Sequence, residues 1–234
     1  MNNFSIVIPV YNEQDNIEDL IDEIYKLNLK KYNYEIIIVD DCSTDKTNEI
    51  LTKLKKIYDK IIFYKHTKNL GQSYAFLTGI KNSKFKNIIT IDGDCQNDPK
   101  DIISLCNIYF ADKKYDLVGG LRTRRKDTFI KIISSLIANK IRATILKDKC
   151  IDTGCSLKIF NKEIFLNFPF FDGIHRFLPA LFLGYGYNTY YLPVSHRQRM
   201  KGKSNYGTFN RLFWGIKDII RVKKILNKIK KNHD

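Results

Sequence analysis

The amino-acid sequence predicts an α/β fold in which a mostly parallel sheet carries helices on both faces. Short β-branched apolar runs alternate with amphipathic helical patterns through the first half of the 234-residue chain, as in consecutive β–α–β units. The strand runs are apolar at successive positions, which is typical of strands covered on both faces. This alternation indicates a doubly wound sheet with right-handed crossovers, whose ligands bind beyond the carboxyl ends of the strands.

The predicted elements follow one another in strict alternation. The first strand is residues 4–10, and apolar residues from Ile17 to Leu27 then recur at helical spacing. The second strand is residues 35–40, and residues 43–45 supply capping side chains for the helix that carries Ile50 to Ile57. The later elements are a strand at 61–64, a helix from Gly71 through Leu77, a strand at 88–92, a helix from Asp98-Pro99 through Phe110 and a strand at 116–119. After residue 120 the chain becomes basic and apolar, and residues 151–200 hold short strands and turns.

Composition limits the classes of partner. The formal charge of +15 suits a polyanion, which could be nucleic acid, an anionic bilayer or a phosphorylated substrate. Five cysteines without a CxxC pair indicate reduced thiols in a cytosolic chain. No signal-peptide pattern precedes the first strand, and no apolar run approaches the ~18 residues that span a bilayer. We therefore expect a chain that is neither secreted nor membrane-spanning, with a peripheral position on a membrane left open.

Two acidic clusters come at the ends of predicted strands. The first is Asp40-Asp41 and the second runs from Asp92 to Gln96. Carboxylates separated by one residue at a strand end can share a hard divalent cation. Mg²⁺ or Mn²⁺ held there would neutralise the charge on a departing diphosphate. Acidic residues at strand ends are also ordinary turn formers. Two such ends, together with the Asn12-Glu13 turn, favour the metal site.

Several motifs resemble, in order and spacing, those of family 2 glycosyltransferases with the GT-A fold. These are IPVYNE (8–13), VDDCSTDKT (39–47), NLGQSYAFLTGI (69–80) and IDGDCQNDP (91–99). Four more resemble the branch that makes polyprenyl-phosphate sugars, typified by dolichol-phosphate mannose synthase: GLRTRRKD (120–127), SSLIANKI (134–141), DTGCSLKIF (152–160) and HRQRMKGKSNYG (196–207). The resemblance covers nearly the whole chain.

The resemblance implies a role for each matching residue. It assigns the nucleotide sugar to Pro9, Tyr11, Glu13, Asp40, Asp41, Asp92, Lys131 and Lys201, and the metal to Asp92, Asp94 and Gln96. It assigns the lipid phosphate to Arg122, Lys131, Ser135, Arg199, Ser204 and Tyr206, and catalysis to Asp94, Arg122, Asp152 and Arg199. Cations at these positions would offset the repulsion between an anionic acceptor and a diphosphate.

The implied reaction is inverting transfer of a hexose, most simply mannose from GDP-mannose, onto dolichyl or undecaprenyl phosphate. UDP-glucose or a UDP-uronic acid as donor, and a saccharide hydroxyl of a cell-surface polysaccharide as acceptor, are alternatives. A lipid phosphate needs no base, so Asp152 is the candidate base only for a hydroxyl acceptor, and a turn role for it is equally favoured. A nucleic-acid-binding module is disfavoured, because no helix-turn-helix, zinc-finger or RNP signature is present.

Five further positions qualify the resemblance. Cys42 stands where the family usually has glycine, and Lys131 where it usually has arginine, which keeps the charge without the bidentate fork. His175 resembles a position near the acceptor, although a structural role is favoured. Cys150 and Cys155 lack His or Cys partners at zinc spacing, so we expect core or turn positions.

The chain is expected to comprise a catalytic domain, residues 1–204, and a basic amphipathic tail, residues 205–234. Within the domain, residues 1–120 would bind the nucleotide sugar and metal, and 121–204 the acceptor.

One apolar stripe comprises Ile130, Ile133, Ile137, Ile141 and Ile145. A second, in the tail, comprises Phe209, Leu212, Phe213, Ile216, Ile219 and Ile220, near Trp214 and followed by Arg221, Lys223, Lys224, Lys228, Lys230 and Lys231. The stripes indicate an interfacial helix on the cytoplasmic face of a membrane, with core packing or an integral membrane partner as alternatives.

Overall fold

Strands and helices alternate along the chain. This computed structural model describes residues 2–111, 114–122, 140–148, 150–198 and 208–231, with side chains from 215 to 229 in the last range. The strands are β1 (Asn2–Val10), β2 (Tyr32–Asp40), β3 (Ile61–Lys65), β4 (Asn87–Thr90), β5 (Leu117–Arg122), β6 (Lys158–Asn161) and β7 (Thr189–Val194). The helices are α1 (Ile17–Tyr25), α2 (Thr47–Ile57), α3 (Gln72–Lys81), α4 (Asp101–Ala111), α5 (helical residues 140–146), α6 (Lys162–Leu166), α7 (Leu178–Gly184) and α8 (Thr208–Lys231), with a 3₁₀ turn at Ile174–Arg176.

The strands form one sheet in the order β3-β2-β1-β4-β6-β5-β7. β1 pairs in parallel with β2 and β4, and β5 pairs in parallel with β7. β6 is antiparallel to both of its neighbours, β4 and β5. The prediction of a mostly parallel sheet is confirmed. The strand order reverses between β1 and β4, so the carboxyl ends of these two strands border the crevice in which such sheets bind ligands.

Two apolar clusters cover the two faces of the sheet. On β1, Phe4, Ile6 and Ile8 belong to the cluster that packs against α1, α2 and α4, whereas Val7 belongs to the cluster that packs against α3 and α7. This alternation follows from the two-residue period of a strand, and it explains why the strand sequences are apolar throughout. Helices on both faces were predicted and are confirmed.

Several element bounds differ from the prediction. β4 ends at Thr90, so Asp92 lies in the following loop and not at the end of the strand. The fourth helix begins at Asp101, because Asp98 and Pro99 form a turn in which the Asp98 carbonyl accepts a hydrogen bond from the Asp101 amide at 3.1 Å. β5 starts one residue later than expected and extends to Arg122, whose pairing with Val194 of β7 was not visible in the local pattern.

The carboxyl-terminal helix is a single element of 24 residues. Val222 and Leu226 are buried among the apolar side chains of the α3–α7 face. A Cβ atom at Gly184 of α7 would lie 2.3 Å from Leu226 Cδ2, so glycine at this position makes room for Leu226 of α8. Arg176 also pairs with Asp218 of α8 at 3.0 Å. Among the residues placed in the structure, no helix has the length and apolarity needed to cross a bilayer.

Candidate functional site

The loops that follow β1, β2 and β4 meet at one edge of the sheet. Val10 of β1 pairs with Asp40 of β2, and Val7 of β1 pairs with Thr90 of β4. Because these strands are parallel, the residues that follow them lie together at the carboxyl edge. The predicted nucleotide-binding residues come from this edge: Pro9, Tyr11, Glu13, Asp40 and Asp41.

The loop after β1 is joined to the loop after β2 by hydrogen bonds. The Asn12 amide donates to Ser43 Oγ at 2.9 Å, and the Thr44 amide donates to Asn12 Oδ1 at 2.8 Å. The Glu13 amide donates to Thr47 Oγ1 at 2.9 Å, and Glu13 is buried with its carboxylate bonded to the Asn16 side chain at 2.7 Å. Glu13 therefore has a clear local role in the shape of this turn, besides the donor-binding role predicted for it.

Asp40 and Asp41 are adjacent but have different surroundings. Asp41 is fully engaged: its carboxylate accepts the amides of Leu70 at 2.9 Å and Gly71 at 2.7 Å, and lies 2.7 Å from His66 Nδ1. Asp40 accepts the Ser43 amide through Oδ1 at 2.9 Å, whereas its buried Oδ2 has no hydrogen-bond partner within the described part of the chain. Buried carboxylate oxygens are normally hydrogen-bonded. Asp40 is therefore the better candidate to accept a hydrogen bond from the donor.

Cys42 adopts the left-handed conformation, which suits the glycine that its position usually carries in the family it resembles. Its φ is +65°, a region that residues with a Cβ atom rarely occupy and glycine occupies freely. The turn geometry is thus retained, at a cost in backbone strain.

The second acidic cluster lies against the end of β1. A Cβ atom at Gly93 would lie 2.7 Å from Val10 Cγ1, so glycine allows this close approach. Asp92 accepts a hydrogen bond from Gln72 Nε2 at 2.7 Å, and Asp94 accepts the Gln96 amide at 3.2 Å. Burial and the neighbouring Asp94 charge raise the pKa of Asp92 to about 7.

These residues fit a divalent metal. Two carboxylates that disfavour each other's charge are stabilised by a shared cation, and oxygen ligands suit Mg²⁺ and Mn²⁺. Within the described ranges there is no group of three or more His, Cys, Asp or Glu side chains placed to hold a metal, so Asp92 and Asp94 stand as a pair. Gln96 adjoins them in the loop, where its carbonyl accepts the Arg197 amide at 2.8 Å.

Arg122 and Asp152 form a bidentate ion pair. Arg122 Nε and Nη2 donate to the two Asp152 oxygens at 2.8 and 2.7 Å, and the Arg122 amide donates to Oδ2 at 3.1 Å. The pairing raises the pKa of the Arg122 guanidinium against the opposing effect of burial. A Cβ atom at Gly154 would lie 2.8 Å from Arg122 Nη2, so glycine makes room for the guanidinium. Because both Asp152 oxygens bind Arg122, the geometry favours an orienting role for Asp152 over that of a base.

His175 belongs to the 3₁₀ turn and contacts Ser73 of α3. Its Nδ1 is 2.8 Å from Ser73 Oγ, which also accepts the Gly173 amide at 2.7 Å. Burial, followed by the charges of Arg176 and Lys158, lowers the pKa of His175 to about 3. The neutral imidazole therefore connects two structural elements, as favoured by the sequence. Cys150 and Cys155 are buried free thiols, also as expected.

Sequence reasoning missed four residues that support the site. His66 and Gln72 contact Asp41 and Asp92, and Ser156 Oγ accepts the Asp92 amide at 3.2 Å. Lys158 is buried beneath the Asp152 turn. A lysine within the apolar run LKIF was the one available signal, since a buried lysine needs a specific partner. Six predicted residues lie outside the described ranges: Lys131, Ser135, Arg199, Lys201, Ser204 and Tyr206.

Solved structures of similar shape come from sugar-transferring enzymes. A mannosyltransferase from Pyrobaculum calidifontis, solved with GDP-Man and Mn²⁺, aligns with a TM-score of 0.64 at 19% identity over 96% of this chain and 68% of that one. Glucosyl-3-phosphoglycerate synthase from Mycobacterium tuberculosis, solved with Mg²⁺ and UDP, aligns with a TM-score of 0.69 at 17% identity over 94% of this chain and 78% of that one. At such identities the likeness shows the fold, and it confirms the GT-A prediction.

Sequence relatives are closer. The dodecaprenyl-phosphate galacturonate synthase of Rhizobium johnstonii is 34% identical over 93% of this chain and 65% of the relative. The undecaprenyl-phosphate 4-deoxy-4-formamido-L-arabinose transferase of Edwardsiella ictaluri is 32% identical over 87% of this chain and 62% of the relative. The chain thus spans less than two thirds of the length of these relatives. The model described as glycosyl transferase family 2 matches residues 5–168. Motifs, fold, relatives and family model agree, and the chain belongs to glycosyltransferase family 2.

Proposed function

We propose that this chain transfers a sugar from a nucleoside diphosphate to a polyprenyl phosphate, with inversion at the anomeric carbon. The observation that carries the proposal is the acidic pair Asp92 and Asp94 close to the partly buried guanidinium of Arg122, whose positive charge opposes the rise in the pKa of Asp92 caused by burial and Asp94. Such a site offers carboxylates for a metal-bound diphosphate and a cation for a second anion. The two relatives, named for polyprenyl-phosphate sugars, support the choice of acceptor.

In this proposal each side chain has a distinct task. Asp40 accepts a hydrogen bond from the nucleobase through its free oxygen, and Asp92 and Asp94, with Gln96, hold Mg²⁺ or Mn²⁺. The metal would neutralise the negative charge that develops on the leaving diphosphate. Arg122, oriented by Asp152, offsets the charge of the acceptor phosphate as it approaches the donor.

The proposed transfer needs no catalytic base, because the bonds formed and broken balance without removal of a proton. A phosphate oxygen of the acceptor forms a bond to the anomeric carbon while the bond to the diphosphate oxygen breaks, and the diphosphate leaves with the electron pair. The acceptor oxygen is already anionic at neutral pH, so no proton has to be removed. The engagement of both Asp152 oxygens by Arg122 is consistent with this chemistry.

The relatives change the order in which the candidate donors are ranked. GDP-mannose was the simplest expectation, but the relatives are named for galacturonate and a formamido-arabinose. We therefore place a UDP-uronic acid, or a related UDP-sugar, ahead of GDP-mannose.

A donor panel tests the proposal. Three radiolabelled donors are compared: a UDP-uronic acid, UDP-glucose and GDP-mannose. Each donor is incubated separately with the protein, undecaprenyl phosphate and Mg²⁺ or Mn²⁺, and the mixture is extracted into organic solvent. For one donor, we expect label to enter the organic phase, and to do so only when the acceptor is present. If no donor gives label in the organic phase, and label is transferred to an added saccharide instead, the acceptor is a saccharide hydroxyl and not the lipid phosphate.

We further propose that α8 lies on an anionic membrane surface. Its inward residues, Val222 and Leu226, are buried, whereas Ile216 and Ile220 are 53% and 52% exposed. Of the predicted stripe, Ile219 packs against the core and the side chains before residue 215 are not described. On the outer side a shallow groove is lined by Lys217, Ile220, Arg221, Lys224, Ile225 and Lys228. Four cations at this helical spacing repel one another and favour an anionic partner.

Vesicle binding tests the membrane proposal. Replacing Lys217, Lys224 and Lys228 by glutamine removes three charges, each contributing ~1 kcal/mol near an anionic surface, so binding should fall by roughly 100-fold. The control replaces Lys53, Lys55 and Lys56 on α2, which are equally exposed and alter net charge equally. Equal loss in both variants, on vesicles rich in anionic lipid, would attribute binding to net charge alone.

A further inference from the structure

Lys158, the first residue of β6, is a buried cation to which the proposed reaction gives no task. It is only 3% exposed. Its ammonium group donates hydrogen bonds to the carbonyl oxygen of Cys155 and, at 3.5 Å, to that of Thr153. Among the side chains that the structure describes, no carboxylate is within ion-pair distance of it, although its charge acts on Asp92 and opposes the larger rise in the pKa of Asp92 that burial causes. Burying an ammonium group without a counterion is costly, so the two carbonyls must be arranged to receive it.

Both carbonyls belong to the turn of residues 152–156, which touches both sides of the site. At its start, Asp152 binds the Arg122 guanidinium through two hydrogen bonds. At its end, Ser156 Oγ accepts the Asp92 amide at 3.2 Å and donates to Asn97 Oδ1 at 2.9 Å. The Ser156 carbonyl also accepts Thr90 Oγ1 at 2.6 Å. One turn therefore sets the position of Arg122 relative to Asp92.

We propose that Lys158 is a positioning residue, whose ammonium group holds the 152–156 turn in the shape that aligns Arg122 with the Asp92–Asp94 pair. The identity of the anions that these groups align rests on the proposed function. A lysine suits this position because one ammonium carries three donors on a compact head. A side chain without donors would leave the Thr153 and Cys155 carbonyls without this partner.

The kinetic test replaces Lys158 by methionine, which has a similar length and no donor. The KM for undecaprenyl phosphate in detergent micelles should rise about tenfold or more, because Arg122 is displaced. The affinity for the nucleoside diphosphate should change less than the acceptor KM does, since the turn reaches the donor side through the Asp92 amide while the loops after β1 and β2 are unaltered. The matched control is Lys162→Met, because Lys162 Nζ also donates to two carbonyls, those of Lys81 at 3.1 Å and Ser83 at 2.7 Å, at the other end of β6.

A second readout needs no substrate. The Arg122 amide donates to Asp152 Oδ2, so its hydrogen exchange, followed by NMR, reports the position of the turn. Exchange at Arg122 should accelerate in Lys158→Met and stay unchanged in Lys162→Met. If Lys158→Met does not fold, Lys158→Gln, which keeps an N–H donor without the charge, takes its place and is judged by the same two readouts.

Two results would overturn the inference. One is a folded variant at Lys158 with unchanged acceptor KM and unchanged Arg122 exchange. The other is a uniform loss of protection across β5 and β6 with KM unaffected, which would indicate a merely structural lysine. Failure of the proposed function is distinguishable, because the unaltered protein would then neither bind nor glycosylate the lipid phosphate, while Arg122 exchange would still report on Lys158.

Discussion

The two sides of the site are built by different interactions. On the donor side, the loops after β1 and β2 are joined by amide-to-side-chain hydrogen bonds such as Asn12 to Ser43 and Glu13 to Thr47. On the proposed acceptor side, the contact between predicted residues is the ion pair of Arg122 with Asp152, in addition to the hydrogen bonds of the 152–156 turn. Short polar bonds fix the backbone shape that a nucleoside requires, whereas an arginine held by a carboxylate supplies both position and charge for an anion. Substitutions on the two sides should therefore have different kinetic signatures.

The largest expected effect is at Asp94, which in the proposed function serves the donor side through the metal. Asp94→Asn should lower kcat by roughly 10²–10³-fold, because charge on the leaving diphosphate is no longer neutralised. Removing Mg²⁺ and Mn²⁺ with a chelator should reduce the unaltered enzyme to a similar rate. The control is Asp59→Asn, an exposed carboxylate just before β3, at the opposite edge of the sheet. Full transfer by the Asp94 variant, or by chelated enzyme, would remove the metal from the mechanism.

The ion pair on the acceptor side sharpens the comparison. Asp152→Asn and Arg122→Lys should each raise the KM for the lipid phosphate about tenfold with a smaller change in kcat, because the bidentate arrangement is lost. The double variant should be little worse than either single one, since the residues act as a unit. Steady-state kinetics separates the alternatives: a collapse of kcat in Asp152→Asn, with KM unchanged, would make Asp152 a base.

On the donor side, neighbouring aspartates should separate binding from stability. Asp41→Asn should lower the free energy of unfolding by ~2 kcal/mol, because hydrogen bonds from the Leu70 and Gly71 amides to a charged acceptor are weakened. Asp40→Asn should raise the KM for the donor about tenfold with a smaller loss of stability. Chemical denaturation and donor kinetics measure the two effects. The reverse pattern, with Asp41 controlling donor KM and Asp40 controlling stability, would contradict this division of roles.

The smallest effect is expected at Cys42. Replacement by glycine should raise stability by up to ~1 kcal/mol, because the left-handed conformation no longer strains a Cβ atom. Cys42→Ala is the control, since it removes the thiol but keeps the Cβ atom and should give no such gain. Thermal unfolding measures both. A gain in the alanine variant equal to that in the glycine variant would attribute the effect to the thiol and not to φ.

Local pattern was enough to predict the elements that bring the donor residues together. β1, β2 and β4 are covered by helices on both faces, so their apolar runs are continuous, and Asp40 ends β2 while Asp92 and Asp94 follow β4 in a known topology. Residues that act through distant partners were not predictable. His66 reaches Asp41 across 25 positions, and Gln72 reaches Asp92 across 20. β6 is antiparallel to both of its neighbours and departs from the β–α–β order, so its place between β4 and β5 had no local signal.

The reversed strand β6 has a consequence for how this part of the chain can change. In a parallel sheet, only segments that follow strands reach the carboxyl edge, but β6 brings the segment that precedes it to that edge. Lys158 pairs with Thr90 of β4 on one side and Gly119 of β5 on the other, so the 152–156 turn is anchored from both sides. The distance from Asp152 to Asp92 is therefore set by strand pairing on both sides and not by the 30 positions that separate Arg122 from Asp152 along the chain. In the proposed function, this anchoring keeps the metal site in place when residues around the acceptor change.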